Sequence, residues 1–186
     1  TNSQQWRFTI LATRKDVQAL GEQVADYYRW LNRLAAHPLI RLGSRVLPAN
    51  SLNRYYENYF NSVSQAINDW DMHGEDRLFH GATAVILVSS NSSASCPLED
   101  GMLATANITL AVETLGLGSC LIGFAVQAIK RRPSIGHWLG LRKEERVVSV
   151  IALGYPQHRF LRFAGRQTAE LNWPVLSGNS LKDTLR

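Results

Sequence analysis

The sequence is organised around residues 97–124, which read PLEDGMLATANITLAVETLGLGSCLIGF. Residues 98–115 carry the three-to-four-residue spacing of a helix, and their other positions are also mostly small or apolar. A helix that is apolar around its whole circumference is buried, either in a core or in a subunit interface. The acidic residues Glu99 and Asp100 lie in the predicted first turn, where the helix dipole favours negative charge.

The end of this helix leads into a segment with little side-chain bulk. Gly116 and Gly118 are predicted to end the helix, since glycine accepts the left-handed dihedral angles of a helix C-cap. The uncharged run SCLIGF follows at residues 119–124, and we expect a short strand or an extended loop there. Because Gly123 has no side chain, a flat ligand could approach its backbone closely.

Regular elements are also predicted on both sides of this stretch. Residues 14–35 form an amphipathic helix with Val17, Leu20 and Val24 on one face, and residues 51–70 form a second helix. We expect strands at residues 5–12, 83–89 and 146–154, short helices at 125–132 and 134–139, and connections at 37–49 and 89–96. The chain has 186 residues, 45% of them hydrophobic, which predicts one domain with one core.

Composition and charge narrow the class of protein. The net charge is +5, with basic clusters at residues 130–132 and 159–166 but no long basic run, so nucleic acid is not an expected partner. The positive charge is either a solvated surface or an attraction for anionic ligands such as nucleotide phosphates. The start does not resemble a signal peptide and no apolar run reaches transmembrane length, so we expect a cytoplasmic protein without a membrane partner.

Cysteine and histidine are sparse. Two cysteines, Cys96 and Cys120, exclude a disulfide scaffold and favour a reducing compartment. Cys120 has apolar neighbours in the sequence, so we expect a buried, inert thiol there rather than a nucleophile. The five histidines never take the spacing of a metal site such as H-E-x-x-H, and no metal is expected.

Other catalytic motifs do not fit the sequence. The glycines at residues 116 and 118 close a predicted helix, whereas those of a dinucleotide-binding fingerprint follow a strand and open a helix. No G-x-S-x-G nucleophile elbow and no P-loop occurs. The residues alone therefore assign no side chain a catalytic role.

Four segments together resemble the FMN-dependent nitroreductase family. Residues 97–124 resemble its central helix and flavin-contact loop, and TNSQQWRF at residues 1–8 resembles its T-N-S-Q-P-W-x-F segment. Residues 76–88 resemble the family strand D-x-L-F-x-x-A-P-x-V-I-L-V, and ALGYP at residues 152–156 resembles the last core strand and turn. Each segment is short, but the four occur in the family's order over most of residues 1–173, which makes the match specific.

The resemblance implies an α+β fold with a mixed central sheet of four or five strands flanked by helices. It implies a single domain over residues 1–173, a C-terminal tail over residues 174–186, and a homodimer packed through the central helix. FMN would lie at the subunit interface and take hydride from NADPH or NADH. Electrons would then pass to a nitroaromatic, a quinone or a similar small-molecule acceptor, with flavin N5 as the reactive atom.

The resemblance also implies a set of cofactor-binding residues. Backbone N–H groups of the loop at residues 121–123 would face the N5 and O4 edge of the flavin. Two amide side chains near the start would reach the flavin, and two arginines near the end would bind its phosphate through their bidentate forks. The alternatives are an exposed terminus for the amides and a solvated surface for the arginines. The implied residues are Asn2, Gln4, Leu121, Ile122, Gly123, Arg162 and Arg166.

Some departures from the family leave other functions open. Gln5 stands where the family usually has proline, and Ile122 stands where several members have glutamate. The Arg-rich opening segment that grips the FMN phosphate in the family is not found before Thr1, so we expect weaker FMN binding unless Arg162 and Arg166 replace it. The alternatives to an enzyme are a non-catalytic or degenerate flavin-binding dimer, and an interaction module with an empty cleft.

The aromatic residues of the second predicted helix have two interpretations. They could pack in the core and against a partner subunit. They could also form a wall of the substrate pocket, because the family places a mobile helix over the flavin at this point. The residues concerned are Tyr55, Tyr56, Tyr59 and Phe60.

Overall fold

A computed structural model describes residues 4–38, 51–157, 165 and 167–172. The chain separates into two units, Thr1–Pro156 and Gln157–Arg186. The helices and strands of the described residues all lie in the first unit, and the described residues of the second belong to no helix or strand. The predicted domain boundary at residue 173 and most of the predicted connection at residues 37–49 lie outside the described residues.

The helices and strands follow the predicted order. The strands are β1 (Trp6–Leu11), β2 (Ala84–Asn91), β3 (Gly118–Leu121) and β4 (Glu145–Gly154). The helices are α1 (Arg14–Ala36), α2 (Ser51–Asn58), α3 (Phe60–His73), α4 (Pro97–Thr114), α5 (Gly123–Arg131) and α6 (Pro133–Trp138). The prediction of one continuous helix over residues 51–70 is wrong, because the helix breaks at Tyr59. It continues as α3 to His73, and Gly74, with a φ of 64°, forms a left-handed C-cap.

The four strands form one sheet in the order β1-β2-β4-β3. All three pairings are antiparallel, with Trp6 opposite Ser90, Ala84 opposite Leu153 and Gly118 opposite Gly154. The predicted α+β class and the count of four strands are confirmed. The prediction of a mixed sheet is wrong for the described residues. Alternating side chains do not encode strand direction, and a helical connection is long enough for a parallel crossover as well.

One face of the sheet carries the main hydrophobic core. The predicted apolar face of α1 is confirmed, since Val17, Leu20 and Val24 are buried there. Thr13 caps this helix by accepting a hydrogen bond from the backbone N–H of Asp16 at 3.2 Å. Residues of α5, α6 and two strands complete the core, among them Ala125, Ile129, Ile135, Val85, Leu87 and Val150.

Helix α4 packs tightly against β4 on one side only. A Cβ atom at Gly101 would lie 2.7 Å from Val148 Cγ2, so only glycine permits this approach. Beside it, the hydroxyls of Thr105 and Ser149 share a buried hydrogen bond of 2.6 Å. The outer side of the helix, including Leu103 and Leu110, is largely exposed in this chain. Burial of the whole helix in the chain's own core is therefore wrong, and its burial in a subunit interface stays a prediction.

The exposure of the Cys120 thiol differs from the prediction. Cys120 lies on β3, at the edge of the sheet, and is exposed, so the predicted burial of its thiol is wrong in this chain. The short strand places its side chain outside the core, which the apolar sequence around it did not indicate.

Neither α4 nor any other described helix has the length and hydropathy that spanning a bilayer requires.

A buried carboxylate links the first and last strands. Glu145, at the start of β4, accepts a hydrogen bond from Arg7 Nη2 of β1 at 2.7 Å and one from the backbone N–H of Arg142 at 2.9 Å. Arg7 Nη2 also donates to the carbonyl oxygen of Gly140 at 2.6 Å. Because β1 and β4 flank β2 without pairing with each other, this contact holds the loop before β4 against β1.

Candidate functional site

The connection between β3 and α5 is fixed in place by Ile122. Its side chain is buried in the core, and its backbone N–H donates to the carbonyl oxygen of Val150 at 2.8 Å. Its own carbonyl oxygen accepts from the N–H of Val126 at 3.3 Å. Ile122 therefore holds the loop against the sheet, and its N–H already has an acceptor in this structure.

The next two residues present backbone donors outwards. Gly123 and Phe124 open α5, so their N–H groups have no acceptor within the helix, and no side chain caps this end. A Cβ atom at Gly123 would meet nothing within 4 Å. The first turn of α5 thus offers hydrogen-bond donors beside open space, which is the arrangement that a flat ligand with acceptor atoms at its edge requires.

A cavity of about 930 Å³ adjoins this loop. Leu121 and Gly123 line it on one side, and α1, α2 and α5 supply the rest of the wall. Its volume is in the range of cavities that hold drug-sized or cofactor-sized ligands. Aromatic rings dominate the lining: Tyr27, Tyr28, Trp30, Tyr55, Tyr59 and Phe124.

Hydrogen bonds hold two of these rings in position. The hydroxyl of Tyr28 donates to the carbonyl oxygen of Phe124 at 3.1 Å, which ties α1 to the first turn of α5. The hydroxyl of Tyr55 donates to Asn32 Oδ1 at 2.5 Å, and Asn32 Nδ2 donates to Ser64 Oγ at 3.0 Å. The rings of Tyr28 and Tyr55 stack with their centroids 6.1 Å apart. These contacts preorganise the wall.

Three phenols of this wall, those of Tyr27, Tyr28 and Tyr55, resist ionisation. Burial raises the pKa of Tyr28, and Tyr27 and Tyr55 raise it further, against the opposing positive charge of Arg131. Burial also raises the pKa of Tyr55, and that of Tyr27 against the charge of Arg131. The phenols therefore stay neutral near pH 7, and the wall offers ring surfaces rather than negative charge.

The structure describes only some of the predicted cofactor-binding residues. Leu121 and Gly123 meet at the cavity, whereas the Ile122 side chain points into the core. Gln4 is exposed just before β1 and has a positive φ of 50°. Asn2, Arg162 and Arg166 lie outside the described residues. The cofactor role of all seven stays a prediction.

Sequence reasoning missed other residues at the cavity. Tyr27 and Tyr28 of α1 are buried in the core, yet their rings also line the cavity. Arg54, Gln127 and Arg131 were not predicted to contribute, because the surface positions of α2 and α5 carry no motif. Of the aromatic residues with two interpretations, Tyr55 and Tyr59 line the cavity and Tyr55 also packs against the core, while their role in a substrate pocket stays a prediction. Within the part of the chain that the structure describes, no three histidine, cysteine, aspartate or glutamate residues group as a metal site would need.

The fold and this geometry define a class: an α+β protein with a four-stranded antiparallel sheet and a cavity beside a strand-to-helix loop. Solved structures share the fold. A nitroreductase with bound FMN from Bacteroides fragilis NCTC 9343 superposes with a TM-score of 0.60 at 18% identity, covering 92% of this chain and 76% of that one. A nitroreductase with bound FMN from Desulfitobacterium hafniense DCB-2 gives 0.56 at 19%, covering 92% and 78%. A BluB-like flavoprotein from Clostridium difficile 630 gives 0.57 at 14%, covering 89% and 77%.

The sequence itself identifies the family. The sequence model of the nitroreductase family matches residues 1–155, which is most of the chain. The chain therefore belongs to the nitroreductase family, as its resemblance predicted. No curated protein matches the sequence. One fold can host different activities, so family membership alone does not assign a substrate.

Proposed function

We propose that this chain is an FMN-dependent oxidoreductase that uses NADPH or NADH to reduce a nitroaromatic, a quinone or a similar small acceptor. The observation that carries the proposal is the first turn of α5, where Gly123 and Phe124 offer backbone donors and open space beside an aromatic cavity. Two neighbours of the same fold are nitroreductases with bound FMN, which supports FMN as the cofactor.

The described residues fit a flavin edge. The N–H groups of Gly123 and Phe124 would donate to the acceptor atoms of the ring, and donors there stabilise negative charge that develops on reduction. Bound FMN would supply the hydride-accepting and electron-donating centre. Ile122 would keep these donors aimed outwards through its hydrogen bond to Val150, and Leu121 would cover the ring with apolar surface. On the resemblance to the family, we propose Asn2, Gln4, Arg162 and Arg166 as further cofactor-binding residues.

We also propose that two copies of the chain form the working protein. Leu103 and Leu110, two turns apart on the outer side of α4, are each more than half exposed, and exposed leucines on one helix face are typical of an interface. A homodimer would cover this surface. The thiols of Cys96 and Cys120 suit a reducing compartment such as the cytoplasm.

Flavin reduction tests the proposed function. The purified chain is incubated with FMN, separated from free FMN by gel filtration, and mixed under anaerobic conditions with NADPH or NADH in separate samples. We expect a yellow protein whose flavin absorbance is bleached by at least one nucleotide and restored by nitrobenzene or a quinone. Free FMN at the same concentration is the control.

Two results would contradict the proposal. Retained FMN that neither nucleotide bleaches would identify a non-catalytic flavin-binding protein. Absence of FMN binding even in an equilibrium titration, which also detects weak complexes, would exclude a flavoenzyme and favour an interaction module. Comparing the NADPH and NADH samples also determines which nucleotide is preferred.

A further inference from the structure

The aromatic cavity contains a charge asymmetry that the proposed reduction does not use. Two arginines, Arg54 of α2 and Arg131 of α5, line the cavity, and no acidic residue is among the described residues that line it. Neither guanidinium has a carboxylate within ion-pair distance among the described residues, whereas Arg7, Arg14, Arg29, Arg77 and Arg142 do. The cavity therefore carries positive charge that the described part of the chain does not neutralise.

The position of Arg131 shows that its charge acts inside the cavity. Arg131 lines the cavity together with Tyr27 and Tyr28, and its positive charge lowers the pKa of both phenols against the stronger effect of burial. Because Arg131 is in the last turn of α5 and Gly123 in the first, the two residues flank the cavity from the ends of one helix. A ligand between them would meet backbone donors at one end and a cation at the other.

Exposed rings surround the same space. Trp30, Tyr59 and Phe124 each leave 40% or more of their surface exposed, and all three line the cavity. Tyr59 and Phe124 meet edge to face with their centroids 5.7 Å apart, so part of each ring surface stays available. Exposed aromatic surface in a concave site favours a planar ring as ligand, because stacked and edge-to-face contacts both bury it.

We propose that the acceptor bound in this cavity is a planar aromatic molecule that carries a carboxylate, with Arg131 binding the carboxylate and the rings of Tyr59 and Phe124 packing on the aromatic part. The inference deepens the proposed function and rests on it for the reduction step, but not for binding. Arginine suits this role because its planar fork matches both oxygens of a carboxylate. Arg54 adds a second positive charge across the cavity and strengthens the preference.

The test compares two acceptors that differ in charge alone. 4-Nitrobenzoate and 4-nitrobenzamide share the ring, the nitro group and nearly the same size. With the FMN-loaded full chain, we expect the KM of the carboxylate to be roughly tenfold lower than that of the amide, because charge-assisted hydrogen bonds are about twice as strong as neutral ones. Arg131→Gln should reduce this preference to about twofold or less. The preference should also weaken in high salt, since both arginines are exposed.

Matched controls separate the role of Arg131 from general charge and folding effects. Lys130→Gln removes the same charge from the adjacent exposed residue, which does not line this cavity, and should leave the preference unchanged. FMN content and the KM of the nucleotide should be unaffected in Arg131→Gln. If the nucleotide KM rises while the nitrobenzoate KM does not, Arg131 binds the nucleotide and the inference is wrong.

A binding measurement keeps the inference testable if the chain proves not to be an enzyme. Quenching of tryptophan fluorescence by the same two compounds, without nucleotide and without FMN, reports binding, since Trp30, one of the five tryptophans, lines the cavity. A carboxylate preference that disappears in Arg131→Gln supports the inference even if flavin reduction fails. Equal affinity for the two compounds, or an equal loss in Lys130→Gln, would overturn it.

Discussion

Tyr28 couples the stability of the cavity wall to alkaline pH. Its phenol has a folded-state pKa raised above the ordinary 10.0, chiefly by burial. Below pH 10 both folded and unfolded chains keep the proton, so the stabilisation is complete. Above pH 10 the unfolded chain loses the proton first, and stability falls as pH rises. We predict that Tyr28→Phe flattens this fall in melting temperature between about pH 9.5 and 11.

The same variant has a cost at neutral pH. It removes the hydrogen bond from Tyr28 to Phe124, so we expect a loss of about 0.5–1.5 kcal/mol at pH 7. Tyr155→Phe, at a highly exposed tyrosine, serves as the control and should change neither the melting temperature nor its pH dependence. An alkaline melting profile identical in Tyr28→Phe and the parent would contradict the prediction.

In the proposed cofactor site, Gly123 lets the flavin approach α5 closely because it has no side chain. Gly123→Val adds a branched side chain to the open space beside the backbone donors, so we predict FMN binding weakened about tenfold or more, with the melting temperature little changed. Titration with FMN, followed by quenching of flavin fluorescence, measures this loss. Gly154→Val also places a side chain in open space, away from the described cavity lining, and should bind FMN like the parent. Equal affinity in both variants would show that the loop does not contact the cofactor.

Glu145 forms the contact between β1 and the loop before β4. We predict that Glu145→Ala lowers the free energy of unfolding by about 1–3 kcal/mol, because the N–H of Arg142 and the guanidinium of Arg7 lose a buried acceptor. Chemical denaturation measures the difference. The adjacent Glu144 is exposed, and its contacts with Ser92 use only its backbone oxygen, so Glu144→Ala is the matched control. Equal stability of the two variants would remove the structural role of Glu145.

Elements with a clear period could be predicted from the sequence. Helix α1 alternates apolar and polar faces, and α4 has acidic residues at its start and glycines after its end, so both were placed within one residue at each end. The break at Tyr59 could not be predicted, because the apolar stripe continues from α2 into α3. Strand direction was missed for a similar reason, since side-chain alternation is the same in parallel and antiparallel strands.

The candidate site was less accessible to sequence reasoning. The connection between β3 and α5 could be identified from Gly123 and from its resemblance to the family, and it does line the cavity. The opposite wall comes from α1 and α2, which are distant in sequence and whose tyrosines serve the core as well. Arg131 follows Lys130 in an ordinary basic helix end, so its orientation towards the cavity depends on how α5 packs.

The outer side of α4 is the surface that we propose a second copy of the chain covers. We predict that the chain is a dimer at micromolar concentration and that Leu103→Arg makes it monomeric, because a charge would be buried in an apolar interface. Stable dimers of this kind usually bury more than about 2,000 Å² in total. Analytical ultracentrifugation or light scattering gives the mass of each variant.

A second surface substitution controls for added charge. Met72, near the end of α3, is as exposed as Leu103 but lies on a different helix, so Met72→Arg should leave the dimer intact. A parent chain that sediments as a monomer would exclude the homodimer. Dissociation by both substitutions would indicate a general loss of structure rather than a specific interface.

The order of strands in the sheet has a consequence for how the chain is made. Ser89 of β2 donates a hydrogen bond to the backbone carbonyl oxygen of Arg7 in β1, 82 positions earlier. The second neighbour of β2 in the sheet is β4, which is translated later. At roughly 5–20 residues per second, β1 leaves the ribosome roughly 4–16 s before β2 is complete. Until then the apolar residues Phe8 and Ile10 belong to an unpaired strand, which is prone to associate with other chains. β2 becomes an interior strand of the sheet only when β4 has been translated. Nascent chains of this protein should therefore depend on chaperones until that moment.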